Sequence, residues 1–144
     1  MIILDGGLGR QLKAMGAPFR QPEWSALALM EGPEFVRAAH DAFIASGATI
    51  ITTNSYAVVP FHIGEDLFRD QAGALLDLAG RLARDAADAA PHSVQVAAGV
   101  PPMFGSYQPD KFDAGRATEM IGLFRQKLDP YADFFMAETH SSIA

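Results

Sequence analysis

Carboxylates, a carboxamide and adjacent glycines stand directly after apolar runs of the sequence. In chain order these residues are Asp5, Gly6, Gly7, Asn54, Glu138 and Thr139. Carboxylates can pair with a ligand ammonium, and adjacent glycines leave backbone N–H groups open to an anion. Lys and Arg are missing from the ends of these runs, which disfavours a phosphate ligand. We therefore expect a zwitterionic ligand, such as an amino acid.

Each of these residues also has an ordinary structural interpretation. Asp5-Gly6 is a frequent hairpin turn. Asn54 forms turns readily, and Glu138-Thr139 could cap a following helix. The sequence leaves both interpretations open at each position.

The histidines and the tryptophan form no recognisable motif. Three scattered histidines are expected on helix surfaces or in loops: His40, His62 and His92. Trp24 is expected to fill a gap in the core. His140 is a weak metal-ligand candidate, and it could hold the metal of a hydrolase only if Asp5 and Glu138 converged on it.

Apolar runs alternate with amphipathic segments, and this alternation predicts the elements that position the polar residues. Strands are predicted over residues 2–4, 49–53, 94–98 and 134–137, and helices over 33–46, 65–90 and from an Asp113 N-cap to Pro130. In the last helix one apolar face is expected: Ala117, Met120, Ile121, Phe124 and Leu128. Residues around Pro18 and Pro22 are predicted to be irregular, and residues 99–102 to form a loop.

The order of these elements predicts an α/β fold of parallel β/α units, with crossover helices between the strands. A Rossmann-like sheet and part of a (β/α)8 barrel both fit the pattern. In either fold the ligand lies at the carboxyl ends of the strands, where the candidate residues stand. The sequence lacks a G-x-G-x-x-G motif after the first strand, which disfavours a dinucleotide site.

Composition excludes several classes of function. The 144 residues carry a net charge of −6, which argues against nucleic acid or an anionic membrane as the main partner. There is no cysteine, so a disulfide scaffold, a cysteine nucleophile and a thiolate zinc site within the chain are excluded. The first residues do not resemble a signal peptide, and no apolar run has membrane-spanning length. We expect a cytoplasmic protein.

Taken in order, these segments resemble the homocysteine S-methyltransferase family. The residues that carry the resemblance are the opening ILDGGLG with Gln11-Leu12, Trp24-Ser25-Ala26, Val36 and His40, ATIITTNSY at 48–56, and DFFMAET at 133–139. They span essentially the whole chain. Residues 98–102, Ala-Gly-Val-Pro-Pro, stand where many members have a Gly-Ser loop, which leaves the methyl donor open.

The resemblance implies a (β/α)8 TIM barrel, of which residues 1–144 would form the N-terminal half, about four β/α units in one partial domain. The residues it implies for homocysteine binding are Asp5, Gly6, Gly7, Asn54, Glu138 and Thr139. The two carboxylates would hold the ammonium of homocysteine, and the glycine amides would hold its carboxylate. The implied reaction is methyl transfer to the homocysteine thiol, giving methionine.

The resemblance also implies zinc, held by three cysteines in the second half of the barrel and absent from this chain. No residue here would then perform the methyl transfer, and the chain alone is expected to be inactive. The alternative is a non-catalytic half-barrel module that binds an amino acid or associates with itself. Its first and fourth strands would be open edges, through which a homodimer could form.

Overall fold

Three parallel strands form the sheet in the computed structural model, which describes residues 1–140. The strands are β1 (Ile50–Thr52), β2 (Gln95–Val100) and β3 (Phe134–Ala137), hydrogen-bonded in the order β1-β2-β3. The α-helices are α1 (Leu8–Ala14), α2 (Ser25–Glu31), α3 (Pro33–Ala45), α4 (Pro60–Ile63), α5 (Glu65–Asp88) and α6 (Ala114–Leu128), and a 3-10 turn covers Pro109–Lys111. The predicted parallel β/α units are confirmed.

The longest helix, α5, is the centre of the packing. It contacts α3 on one side and α6 on the other, and it lies against β1 and β2. Its apolar stripe is buried along the whole length, as its 3.6-residue period predicts. The buried residues include Phe68, Ala72, Leu75, Leu76, Ala79 and Ala83. The stripe contributes to two hydrophobic clusters, a larger one that includes Phe68 and Leu76 and a smaller one that includes Ala83.

The helix boundaries follow local signals in the sequence. Pro33 occupies the first turn of α3, and Gly47 follows that helix with φ of +100°. Asp113 caps α6, where its Oδ1 accepts a hydrogen bond from the Arg116 amide at 2.8 Å. These predicted boundaries are confirmed.

The predicted first strand is reduced to one isolated bridge. Leu4 pairs with Ile50 in a parallel bridge, and the Asp5 amide donates to the Ile50 carbonyl oxygen at 2.9 Å. The run is only three residues long before the glycines turn the chain into α1, so a continuous ladder does not form. The segment nevertheless lies beside β1 and brings Asp5 to the end of that strand.

Other expectations are wrong. β2 continues through Gly99 and Val100, where the sequence predicts a loop, because residues 97–100 pair with β3. Ile121 is exposed rather than part of the buried face of α6. The stretch around Pro18 and Pro22 is irregular as predicted, but the two helices that flank it, α1 and α2, were not predicted. The i, i+4 spacing of Leu8 and Leu12 is the local sequence signal for α1.

Burial is uneven across the sheet. Ile51 on β1 and Val96 on β2 are fully buried. Phe134 and Phe135 on β3 are 36% and 40% exposed, and Ile2 beside β1 is 80% exposed. Apolar side chains therefore reach solvent at both edges of the sheet.

Within residues 1–140, no helix is both long enough and apolar enough to cross a bilayer.

Candidate functional site

A cavity of about 570 Å³ lies at the carboxyl ends of the first segment, β1 and β3. Its lining includes Asp5, Gly6, Gly7, Asn54 and Glu138, which come from three separate parts of the chain. Thr139, the remaining candidate, is not part of this lining and has φ of +59°. The cavity has the size typical of small-molecule sites.

Thr52 holds both carboxylate oxygens of Asp5. The Thr52 amide donates to Oδ2 at 2.7 Å, and the Thr52 hydroxyl donates to Oδ1 at 3.0 Å. Burial raises the pKa of Asp5, while these hydrogen bonds act in the opposite direction. The Asp5 carboxylate is thus fixed in direction at the end of β1, and each oxygen keeps a lone pair for a ligand.

Glu138 lies against Gly99 on the β2 backbone, where a larger residue would crowd its carboxylate. A Cβ at Gly99 would stand 2.7 Å from Glu138 Oε1 and 3.1 Å from Thr52 Cγ2. Burial raises the pKa of Glu138, and the negative charge of Asp5 raises it further, while His140 lowers it. The effect of Asp5 means that the two carboxylates interact across the cavity.

Asn54 is fixed by the protein itself. Its Nδ2 donates to the Ser25 carbonyl oxygen at 3.0 Å, which ties the turn after β1 to the start of α2. Beside it, Ser55 Oγ donates to the Gly99 carbonyl oxygen at 2.7 Å, and the Gly99 amide donates to Thr53 Oγ1 at 3.0 Å. Asn54 lies both in a turn and at the cavity wall, so both interpretations of this residue remain compatible with the geometry.

An aromatic wall was not foreseen from the sequence. We define it as the cavity-lining residues Phe19, Trp24, Tyr56, Phe61 and His62. Trp24 was expected in the core, but it is 41% exposed and meets Phe19 edge to face at 5.7 Å. Core aromatics and ligand-site aromatics look alike in a single sequence. Trp24 is identified as a cavity residue only by the fold, which brings it to the same cavity as the Tyr56–His62 segment.

Of the histidines expected on helix surfaces or in loops, His92 lies in an exposed loop as predicted, whereas His40 does not fit the expectation. His62 is half-buried and lines the cavity. His40 was expected at a surface or in a loop, but it is fully buried in α3, and neither ring nitrogen has a hydrogen-bond partner within the described chain. Burial lowers the pKa of His40 to about 4. His40 is therefore a neutral part of the core.

His140 does not join the two carboxylates in a metal site. Its Nε2 lies 3.0 Å from the Val100 carbonyl oxygen, to which it donates. Residues 1–140 contain no group of three or more His, Cys, Asp or Glu side chains that could hold a metal ion. The arrangement required for a metal-dependent hydrolase built on Asp5, Glu138 and His140 is therefore not formed.

Comparison with known proteins agrees with this geometry. A sequence model of the homocysteine S-methyltransferase family matches residues 2–144. Homocysteine S-methyltransferase 1 of Arabidopsis thaliana is 34% identical over 87 residues, which cover 60% of this chain and 27% of that protein. Selenocysteine methyltransferase of Astragalus bisulcatus is 37% identical over 87 residues, with 60% and 26% covered.

The fold agrees as well. The metallated form of the homocysteine methyltransferase MmuM from Escherichia coli, a TIM barrel, superposes with a TM-score of 0.80 and 31% identity. The match covers 96% of this chain and 54% of MmuM. A parallel α/β architecture with carboxylates at its strand ends defines the class, about half of a TIM barrel. The chain belongs to the homocysteine S-methyltransferase family, and it spans about half the length of the solved relative.

Zinc, which the resemblance implied, does not fit the residues present. The sequence has no cysteine, and the described residues form no alternative ligand cluster. His140 Nε2 is hydrogen-bonded to the Val100 carbonyl oxygen, and the ring forms no ligand cluster with the cavity carboxylates within residues 1–140. No chemical step of this chain is therefore assigned to a metal.

Proposed function

We propose that this chain binds homocysteine and supplies the amino-acid-binding half of a homocysteine S-methyltransferase site. The observation that carries the proposal is the convergence of Asp5 and Glu138, which are 133 positions apart in the sequence, on one cavity. Two carboxylates beside each other repel, and burial disfavours their ionised forms further. A ligand ammonium between them relieves both effects.

The carboxylate of the ligand would bind at Gly6 and Gly7. Both glycines line the cavity, and within residues 1–140 neither amide donates a backbone hydrogen bond. An α-amino acid would then be held at both of its charged groups. The side chain of the amino acid would remain free to extend along the cavity. Thr139, which does not line the cavity, would not contact the ligand directly.

The methyl donor would occupy the aromatic wall. Trp24 and Phe61 line the cavity, and each is more than two-fifths exposed. Aromatic faces attract cations, and a methyl group activated for transfer is commonly carried on a sulfonium or quaternary ammonium centre. This wall therefore favours a cationic donor, such as a sulfonium, over an anionic one.

Turnover would require more than this chain. Zinc would need ligands from outside the 144 residues, as the resemblance implies, and this half would contribute substrate orientation to a direct displacement. Under this proposal the isolated 144-residue chain is expected to show no methyl-transfer activity. That residues 1–144 form one partial domain, and that the protein is cytoplasmic, also stay predictions.

The test uses Trp24, the single tryptophan of the sequence, as its reporter. Homocysteine and trimethylsulfonium are titrated separately into the 144-residue chain while Trp24 fluorescence is followed. Glu138→Gln should weaken homocysteine binding at least about tenfold, because a charged hydrogen-bonded pair is lost. The matched control is Glu34→Gln, which removes an exposed carboxylate on α3 and should leave the affinity unchanged.

An equal effect of both variants, or no homocysteine binding by the unaltered chain, would contradict the amino-acid site. Trimethylsulfonium binding that survives Trp24→Leu, followed then by calorimetry, would contradict the placement of the donor.

The alternative function, a self-associating module, is favoured by one feature. Apolar side chains are exposed at both sheet edges, at Ile2 and at Phe134 and Phe135. A second copy could cover them by extending the sheet edge to edge. Sedimentation velocity distinguishes the cases: a dimer that dissociates in Phe135→Lys supports self-association, and a monodisperse monomer contradicts it.

A further inference from the structure

The two carboxylates of the cavity are held in different ways. Asp5 accepts hydrogen bonds from the amide and the hydroxyl of Thr52. Within residues 1–140, no hydrogen bond reaches the Glu138 carboxylate. The Glu138 side chain instead lies against the backbone of β2, where a Cβ at Gly99 would stand 2.7 Å from its Oε1. The direction of the Glu138 carboxylate therefore depends on where the Gly99 backbone lies.

Gly99 is in turn held by two side-chain hydroxyls on the side of β2 that faces β1. The pairing of β1 with β2 ends at Thr52 and Ala97, after which the chain turns away from the sheet. Beyond that point the Gly99 amide donates to Thr53 Oγ1 at 3.0 Å, and Ser55 Oγ donates to the Gly99 carbonyl oxygen at 2.7 Å. The hydroxyls thus replace the backbone partners that a longer β1 would supply.

The two hydroxyls and the Gly99 backbone form a closed cycle of hydrogen bonds. Ser55 Oγ carries one hydrogen, and it lies much closer to the Gly99 carbonyl oxygen, at 2.7 Å, than to the Thr53 carbonyl oxygen, at 3.4 Å. The Thr53 hydroxyl, 2.8 Å from Ser55 Oγ, is then the donor in the contact between the two side chains. Each hydroxyl accepts one hydrogen bond and donates one, and such linked bonds polarise and strengthen each other.

This cycle is closed off from water. Thr53 is 2% exposed and Ser55 is fully buried, and of the two only Thr53 lines the cavity. A buried polar group without a partner is costly, so loss of one hydroxyl forces the Gly99 backbone to shift toward another partner. Such a shift moves the surface against which the Glu138 side chain rests.

We propose that the hydroxyls of Thr53 and Ser55 are positioning groups that hold the Glu138 carboxylate where it meets the ligand ammonium. They act through Gly99, and the inference rests on the proposed function. Both hydroxyls are fully used in the cycle, so neither is assigned a bond to the ligand. Ser55 does not line the cavity, so it affects the ligand only by this indirect route.

Ser55→Ala is the decisive variant, because the hydroxyl that it removes does not line the cavity. Homocysteine and γ-mercaptobutyrate, which is homocysteine without its amino group, are titrated by calorimetry into the full 144-residue chain. The variant should bind homocysteine about fivefold more weakly, the effect of about one hydrogen bond, and should bind γ-mercaptobutyrate with unchanged affinity. An equal loss for both ligands, or no loss for homocysteine, overturns the proposal.

Thr53 supplies a conservative pair of variants. Thr53→Ser keeps the hydroxyl and should retain homocysteine affinity within about twofold, whereas Thr53→Val should repeat the selective loss expected for Ser55→Ala. Ile51→Val is the matched control for stability alone, since Ile51 is fully buried on β1 and its aliphatic side chain forms no hydrogen bond. It should lower the urea midpoint of unfolding and leave both affinities unchanged. A selective loss of homocysteine affinity in Ile51→Val would assign the effect to β1 as a whole and overturn the role of the hydroxyls.

A carbon-13 NMR titration of the Glu138 carboxyl tests the positioning without any ligand, and so separates this inference from the proposed function. Burial and the negative charge of Asp5 raise the pKa of Glu138, while His140 lowers it. Both raising effects require the carboxylate to stay in the cavity, so the pKa of Glu138 should fall toward its ordinary value in Ser55→Ala. An unchanged pKa of Glu138 in the folded variant overturns the positioning role and leaves the amino-acid site standing. If this pKa falls but the unaltered chain binds no homocysteine, the proposed function fails and the positioning of Glu138 stands.

Gly99→Ala keeps the proposal testable if the hydroxyl variants do not fold. The added methyl group crowds Glu138 Oε1 while both hydroxyls stay in place. Homocysteine affinity should fall and γ-mercaptobutyrate affinity should stay unchanged, because only the ammonium partner is displaced. Retention of full homocysteine affinity in Gly99→Ala would show that the Gly99 backbone does not position Glu138, and would overturn the proposal.

Discussion

The centre of the sheet and its edges differ in how completely they are packed. On β1 and β2, Ile51 and Val96 are fully buried between helices and sheet. On β3, Phe135 is 40% exposed, and Leu4 beside β1 is 48% exposed. Both carboxylates of the site follow these exposed edges, Asp5 after Leu4 and Glu138 after β3. The centre therefore supplies stability, whereas the site stands on the least supported parts of the sheet.

The site keeps its geometry through contacts that return to the centre. Asp5 is bonded to Thr52, the last residue of β1, and Glu138 rests against Gly99 on β2. The Glu138 amide also donates to the Val100 carbonyl oxygen at 3.1 Å. Ligand affinity should then depend more on these contacts between the edge segments and the central strands than on the edge segments themselves.

The largest difference in stability should appear when one side chain in each region is shortened to alanine. Ile51→Ala should lower the free energy of unfolding by about 2–5 kcal/mol, because it leaves a cavity in a closed part of the core. Phe135→Ala should change it by less than about 1 kcal/mol, since that ring is already partly in water. Urea unfolding of both variants measures the contrast. Equal losses would show that β3 is covered in solution, for example by a second copy.

His40 extends the comparison to pH, because a buried histidine belongs to the closed region. Its pKa is lowered from 6.5 to about 4 by burial, with a smaller opposing effect of Asp41. As the pH falls from 6.5 to 4, the unfolded chain takes up the proton first, so the stability contributed by neutral His40 is lost across this interval. The full loss corresponds to about 3 kcal/mol.

His40→Leu isolates this effect. Neither ring nitrogen has a partner within the described residues, so the substitution removes no hydrogen bond and should not destabilise the chain at neutral pH. The raised pKa values of Asp5 and Glu138 give the opposite slope, with stability lost as the pH rises, and they are unchanged in the variant. If unfolding between pH 6.5 and 4 remains equally steep in His40→Leu, another group is responsible.

The sequence predicted what is encoded locally and missed what depends on distant contacts. The stripe of α5 and the Asp113 cap are set by residues within a turn of each other, and both are confirmed. The hydrogen bond between Asp5 and Thr52 joins positions that are 47 apart, and no sequence pattern predicts it. The same limit explains Trp24, whose apolar ring fits a core or a cavity wall equally well until the surrounding elements are in place.

The smallest expected effect tests the junction between edge and centre. Thr52→Val removes the hydroxyl that donates to Asp5 Oδ1 but keeps the amide that donates to Oδ2. Loss of one hydrogen bond to a charged group should weaken homocysteine binding about tenfold, and Thr52→Ser should restore it. Thr49→Val is the matched control, since its hydroxyl bonds only the Ile3 backbone. It should lower stability without a selective loss of affinity. If both valine variants reduce affinity equally, Asp5 is held by the edge as a whole, and Thr52 has no separate role in orienting the carboxylate.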